Sequence, residues 1–253
     1  MKIGLCSLNQ AWEDYRKNTY NVLEACKISK NEGVDLIIFP ELTLTGFSLN
    51  REIHTPKEIH RGDEFFLSAA KFNDLNLIYG IASNFEKNIY NSVKLLSKTG
   101  SIEGVGYKSH MFSFAGENKI FTSAKNESCI EFNNSVLSLS VCYDLRFPEL
   151  YRKTAGRTDI YINIANWPKV RIDHWRSLLK ARAIENQAYF IGVNRTGTDG
   201  AGLEYVESSL IYDPLGRKLE PCESIGYIHF YEIDNSMPKF IRAQYPFLED
   251  IKL

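Results

Sequence analysis

Ser135-Val136-Leu137-Ser138-Leu139-Ser140-Val141-Cys142-Tyr143-Asp144-Leu145-Arg146-Phe147-Pro148-Glu149 is the stretch that decides how this chain is read. Residues 135–141 are an apolar, alternating run, the pattern of a strand buried in a sheet. The alternation stops at Cys142, and the following residues lead through a tight turn to a proline suited to a helix start. A thiol at such a junction sits at the mouth of a sheet. Free backbone N–H groups in the turn and the positive end of the helix dipole would favour a thiolate there. This is a nucleophile's position, and the question becomes which residues activate it.

The same period-switching extends to both sides. Strands are expected over 2–9, 35–39, 75–82, 89–97, 159–165 and 189–194, and helices over 19–32, 63–74, 147–156 and 174–187. Residues 207–233 read as hairpin strands around an Asp213-Pro214-Leu215-Gly216 turn. Alternating strands and helices with short connections give an α/β class with one continuous core. No linker or low-complexity tract divides the chain, so residues 1–253 are expected to form a single domain. Asp35-Leu36-Ile37-Ile38-Phe39-Pro40-Glu41 and Asp159-Ile160-Tyr161-Ile162-Asn163-Ile164-Ala165-Asn166-Trp167-Pro168 resemble each other. Each is an Asp, a buried strand and a nearby Pro, a hint of internal duplication. Glu41, Cys142 and Asn166 all fall at or just past strand carboxyl ends, where open α/β sheets place their ligands.

A net charge of -1 gives no basic patch for nucleic acid or an anionic membrane. No run approaches about 18 uninterrupted apolar residues, and the first nine residues read as a strand rather than a signal peptide, so a cytoplasmic protein is expected. The five cysteines, Cys6, Cys26, Cys129, Cys142 and Cys222, are odd in number and widely spaced, which argues against disulfides or a zinc site. No metal site and no phosphate-cradling loop is visible, and no cofactor is expected.

Three further segments carry polar groups in apolar surroundings. Glu41 lies in Phe39-Pro40-Glu41-Leu42-Thr43-Leu44-Thr45-Gly46-Phe47, where desolvation would raise its pKa and make it a usable general base. A helix-capping carboxylate is the competing reading. Lys108 follows a glycine-rich turn at Gly104-Val105-Gly106 and sits among Tyr107, Met111 and Phe112. It could hold a carboxylate, donate to an oxyanion, deliver a proton to a leaving amine, or simply snorkel to the surface. Glu117 is a second carboxylate just downstream, with an ordinary loop residue as its alternative.

The segments FPELTLTGF (39–47), YKSHMFSFAGENKIF (107–121) and VCYDLRFPELYR (141–152) together resemble the Glu, Lys and Cys motifs of the carbon–nitrogen hydrolase (nitrilase) superfamily. Ala165-Asn166-Trp167-Pro168, His174-Trp175, the run 181–189 and Asn194-Arg195 resemble its omega-amidase (2-oxoglutaramate amidase) branch. The resemblance implies a four-layer α-β-β-α sandwich and a homodimer of two such sandwiches. It implies that Glu41 is the general base and that Cys142 attacks an amide carbon, expels ammonia and forms a thioester. It further implies that Lys108 and the backbone N–H of Tyr143 stabilise the oxyanion, while Glu117 orients Lys108 or the substrate.

The implied substrate is a small ω-amidodicarboxylate of the 2-oxoglutaramate or 2-oxosuccinamate type, whose remote carboxylate needs a cation. Arg195, Lys169, Arg171 and His174 are candidates, with Arg195 favoured, whereas Arg146 is assigned to an ion pair with Glu149. Asn166 and Trp167 are expected near the substrate, though Trp167 and Trp175 could equally be core. The alternatives are a deaminated-glutathione amidase, an N-carbamoyl amidohydrolase or a nitrile hydrolase. A glutamine-fuelled synthetase is disfavoured because no second catalytic domain follows. A Cys–His site using His110 or His174 and a non-catalytic binder on the same fold are further rivals.

Overall fold

The computed structural model describes residues 1–125 and 128–252. The strands are β1 (Lys2–Cys6), β2 (Leu36–Ile38), β3 (Asn76–Phe85), β4 (Asn88–Leu96), β5 (Ile102–Tyr107), β6 (Ile130–Phe132), β7 (Ser135–Val141), β8 (Ile160–Ala165), β9 (Tyr189–Asn194), β10 (Gly197–Thr198), β11 (Glu204–Tyr205), β12 (Leu210–Tyr212), β13 (Glu223–Ile225) and β14 (Ile228–Glu232). The helices are α1 (Tyr15–Asn31), α2 (Pro56–Asn73), α3 (Pro148–Arg152), α4 (Ile172–Asn186) and α5 (Met237–Gln244). One sheet runs β13-β14-β1-β2-β3-β4-β5 and a second runs β12-β9-β8-β7-β6, while β10 and β11 form a separate small ribbon.

Alternation along the strands makes the layers. Inward-facing Leu36 and Ile38 of the first sheet join Leu137, Leu139 and Val141 of β7 and Ile160, Ile162 and Ile164 of β8 in one buried core between the sheets. The opposite faces are covered by helices. Val22, Ala25 and Cys26 of α1 and Phe66 and Ala69 of α2 pack on Ile37, Leu77 and Tyr79. Trp175, Leu179 and Ala183 of α4 pack with Tyr151 on Tyr161 and Phe190. The result is a four-layer α-β-β-α sandwich, and Cys26 is a buried hydrophobe on α1.

Each sheet holds a parallel triplet, β1-β2-β3 in one and β7-β8-β9 in the other. The two similar segments noted in the sequence are the middle strands, β2 and β8. Several boundaries differ from expectation, and α1 and α2 start earlier, at Tyr15 and Pro56. Within 207–233, β13 and β14 form the expected kind of hairpin and residues 213–216 turn, but the region is split between sheets: β12 pairs with β9 whereas β13 and β14 extend the first sheet. The helix expected to reach 156 ends at Arg152, and the chain turns through Gly156 at φ 80°. The glycines before Lys108 form strand β5 rather than a turn. A Cβ on Gly106 would lie 2.9 Å from the Leu139 carbonyl oxygen, and one on Gly104 would lie 2.1 Å from Ile130 Cδ1. These glycines therefore let β5 approach the facing sheet closely. No helix among the described residues is long and apolar enough to cross a membrane.

Gly80 of β3 supports the loop that follows β2. A Cβ there would lie 2.5 Å from the Leu42 nitrogen and 2.7 Å from the Glu41 Cα. Backbone on both sides leaves nothing flexible to yield. Gly80→Ala should therefore destabilise the fold by about 1–3 kcal/mol, the usual range for overpacking. The shift of the urea unfolding midpoint at unchanged slope checks this.

Candidate active site

Cys142 follows β7 directly and has φ 47°, a left-handed conformation uncommon for a residue with a side chain. It opens a short 3₁₀ turn, Cys142–Arg146, and α3 begins only at Pro148. Asp144, fully buried in that turn, accepts from the backbone N–H groups of Val141 (3.2 Å), Ser109 (3.1 Å) and His110 (2.9 Å). The Asp144 carboxylate thus ties the residue before the thiol to the residue after Lys108.

Three loops bring Glu41, Lys108 and Glu117 together beneath the thiol. Lys108 Nζ donates to Glu41 Oε1 at 2.9 Å and to Glu117 Oε1 at 2.8 Å, and all three side chains are buried. Asn91 of β4 donates its Nδ2 to the same two oxygens, at 2.7 and 3.0 Å. Glu41 Oε2 accepts the backbone N–H of Asn166 at 2.8 Å, and Glu117 Oε2 accepts that of Phe112 at 2.6 Å. The Glu41 carbonyl is clamped by Asn166 Nδ2 (2.7 Å) and Gln10 Nε2 (2.9 Å), and the latter also reaches the Leu42 carbonyl at 3.0 Å.

Protonation follows from this packing. Burial alone would push Lys108 down, but the carboxylates of Glu117 and Glu41 outweigh it and hold the ammonium well above the usual lysine range. Burial first and the Glu41 charge second push the Cys142 thiol well above its ordinary value, with Lys108 only partly opposing them. The expectation of a favoured thiolate at this turn is therefore overturned: the resting group is a protonated thiol, in contact with the Asn166 carbonyl at 3.9 Å.

The cavity above the thiol is small, about 70 Å³, and is lined by Glu41, Lys108, Cys142, Tyr143, Asn166 and Trp167 together with Phe47, Phe112, Arg146, Arg171 and Tyr205, among others. The cations differ from expectation. Arg195 does not line the cavity: its guanidinium is buried and donates to the carbonyls of Gln10, Thr196 and Thr198. Lys169 is exposed and pairs with Glu204 at 2.9 Å. Among the described residues no ion pair joins Arg146 to Glu149. Arg146 instead lies over the Trp167 ring, 4.7 Å from its centroid, and Arg171 lies 5.4 Å from that of Phe112. Trp175 belongs to the core, with Nε1 donating to the Ser208 carbonyl.

Neither histidine of the rival reading bonds the thiol. His110 Nδ1 meets Asp144 Oδ1 at 2.9 Å, and His174 Nδ1 meets Arg146 Nη2 at 3.3 Å. Asn91, Gln10 and Asp144 were missed by the sequence reading. A buried asparagine interrupting the apolar run of β4 was the available sign for Asn91.

A partly buried thiol, a carboxylate and a charged ammonium around one cavity are groups suited to nucleophilic attack on a carbonyl. The carbon–nitrogen hydrolase family model matches residues 2–233. The chain therefore belongs to the carbon–nitrogen hydrolase family. It is 32% identical to a 2-oxoglutaramate amidase of Bacillus subtilis (strain 168), over 94% of this chain and 93% of that one. It is 37% identical to the omega-amidase YafV of Yersinia enterocolitica, over 72% and 70%. The solved structure of XC1258 from Xanthomonas campestris, a CN-hydrolase superfamily protein with an arsenic adduct in its active site, superposes with a TM-score of 0.88 at 25% identity, covering 100% and 97%. The protein is thus a hydrolase of carbon–nitrogen bonds, an amidase, resembling the omega-amidase branch.

Because the Glu41 charge helps hold the thiol protonated, Glu41→Gln should move the pH dependence of Cys142 modification to lower pH. Methyl methanethiosulfonate labelling followed at the Cys142 peptide by mass spectrometry measures this, and an unchanged profile would contradict the assignment.

Proposed function

We propose that the protein hydrolyses the terminal amide of a small ω-amidodicarboxylate, of the 2-oxoglutaramate or 2-oxosuccinamate type, through a thioester on Cys142. As Sγ attacks the amide carbon, Glu41 takes the thiol proton. The carbonyl oxygen becomes an oxyanion that accepts from Lys108 and from the Tyr143 backbone N–H. Lys108 has three donors and spends two on the carboxylates, which leaves one for this task. Collapse breaks the C–N bond, with the proton on Glu41 passing to the nitrogen so that ammonia leaves. Glu41 then takes a proton from water, hydroxide adds to the thioester, and the departing thiolate is reprotonated. Each positioned acid or base contributes roughly 10²–10⁴-fold. Glu117 has a positioning role, fixing Lys108.

The observation that carries the substrate assignment is the pair of arginines on the cavity wall. Arg146 and Arg171 both line it, and no ion pair holds either among the described residues. Their guanidinium groups suit a carboxylate at the end of the substrate remote from the amide. Trp167 and Tyr143 hold Arg146 by ring contact, and Asn166 shapes the floor next to the thiol. The small cavity favours a short substrate over deaminated glutathione.

An ammonia-release panel over 2-oxoglutaramate, 2-oxosuccinamate, glutamine, deaminated glutathione, N-carbamoyl compounds and nitriles tests the reading; preference for glutamine or a nitrile would overturn it. Cys142→Ala should lose about 10⁴-fold or more in turnover with its circular dichroism unchanged. Arg146→Ala or Arg171→Ala should raise KM for the anionic amides roughly tenfold or more, as expected for losing a charge-assisted hydrogen bond, and leave that for a neutral amide such as butyramide near its starting value.

A further inference from the structure

Asn91 stands apart from the other groups around Glu41. It projects from the middle of β4, is fully buried, and spends one NH₂ on two carboxylate oxygens at once. Its own Oδ1 is buried without a hydrogen-bond partner. A buried, unsatisfied carbonyl is unfavourable. The side chain is therefore useful here as a donor and only as a donor. Its backbone carbonyl also accepts the Lys108 N–H at 2.9 Å, so the same residue fixes the ammonium's strand.

We propose that Asn91 is a positioning residue for the hydrolysis, a neutral second bridge that lets Glu41 and Glu117 remain a pair of carboxylates sharing one ammonium. This rests on the reading of Glu41 as the general base. Two buried carboxylates and one ammonium carry a net negative charge. Without a further donor, proton uptake by the pair is the simplest relief. Asn91 supplies that donor without adding positive charge, so the Lys108 ammonium is not displaced from its carboxylates. A lysine or arginine in its place would compete with Lys108 for the same two oxygens. The bridge also restricts Oε1 of Glu41, while Oε2 accepts the Asn166 backbone N–H.

The charged and titratable groups facing Glu41 are few. Lys108 arrives from the end of β5, Glu117 from the turn Glu117–Lys119, and Cys142 from the turn after β7. Across the cavity lie Arg146 from that same turn, Arg171 from the turn before α4, Tyr143 and Tyr205. Of these groups, Lys108 is the one bonded to both carboxylates, so Asn91 shares its task and removing it throws the whole burden onto the ammonium. Losing a donor to the charged form disfavours that form.

The test is the pH profile of kcat/KM for 2-oxoglutaramate in the wild type, Asn91→Ala and Asn91→Asp, with thermal melting to confirm folding. For Asn91→Ala the acidic limb should move up by about one pH unit, with KM changed little and the rate returning toward wild type as pH rises. Asn91→Asp, isosteric and adding a third carboxylate, should move the limb further, and it carries the test alone should the alanine variant fail to fold. A loss by the same factor at every pH, or an unmoved limb in a folded variant, would overturn the proposal. Glu41→Gln is the control on the underlying reading. If it retains activity, the base assignment fails; if it is inactive while the Asn91 variants keep the wild-type profile, the base assignment survives and only the Asn91 proposal falls.

Discussion

The Lys108 ammonium held between the Glu41 and Glu117 carboxylates is the interaction on which the site depends. Removing Lys108 would leave two buried carboxylates without a counter-charge, a change that typically costs about 3–5 kcal/mol. The trio is viable only because its remaining acceptor positions are filled by Asn91, Asn166 N–H and Phe112 N–H. Those donors come from β4, the end of β8 and the loop after β5. The site therefore assembles only when the two sheets are packed at the right separation, which links the hydrophobic core between them directly to the chemistry.

The same charges divide the protonation states. Two carboxylates keep the lysine cationic, while Glu41 together with burial keeps the thiol neutral. In the proposed mechanism the nucleophile is made only as it is used, by transfer to Glu41. A thiol kept protonated in the resting site is a poor target for adventitious electrophiles, because reactivity follows the thiolate fraction. Asp144 guards the geometry of this arrangement by binding the backbone at Val141, Ser109 and His110 with one buried carboxylate.

The layers were legible because strand alternation is local: Leu137, Leu139 and Val141 face one core and need no partner to be recognised. The members of the candidate site were legible where a charged residue sat in apolar sequence, as at Glu41 and Lys108. What escaped depended on distant packing. Gly104 and Gly106 look like a turn until Ile130 and Leu139 are seen lying against them. In the sequence Arg195 looks suited to a substrate anion and Arg146 to an ion pair with Glu149. Only the fold shows that carbonyls from three residues consume the first, whereas rings of Trp167 and Tyr143 hold the second on the cavity wall.

The repeated pattern of the two segments acquires a physical meaning in this setting. β2 and β8 are the middle strands of the two parallel triplets, and each runs out toward a proline that cannot continue a ladder. The residues released there, Glu41 and Asn166, meet across the sheet interface: Asn166 N–H binds Glu41 Oε2, and Asn166 Nδ2 binds the Glu41 carbonyl. A carboxylate on one copy of the pattern is thus oriented by an amide on the other. The shared architecture brings both strand ends to one place, where Glu41 is the acceptor and Asn166 the donor. The thiol at the end of β7, a neighbour of β8, then needs only the left-handed turn at Cys142 to lie beside the carboxylate so oriented.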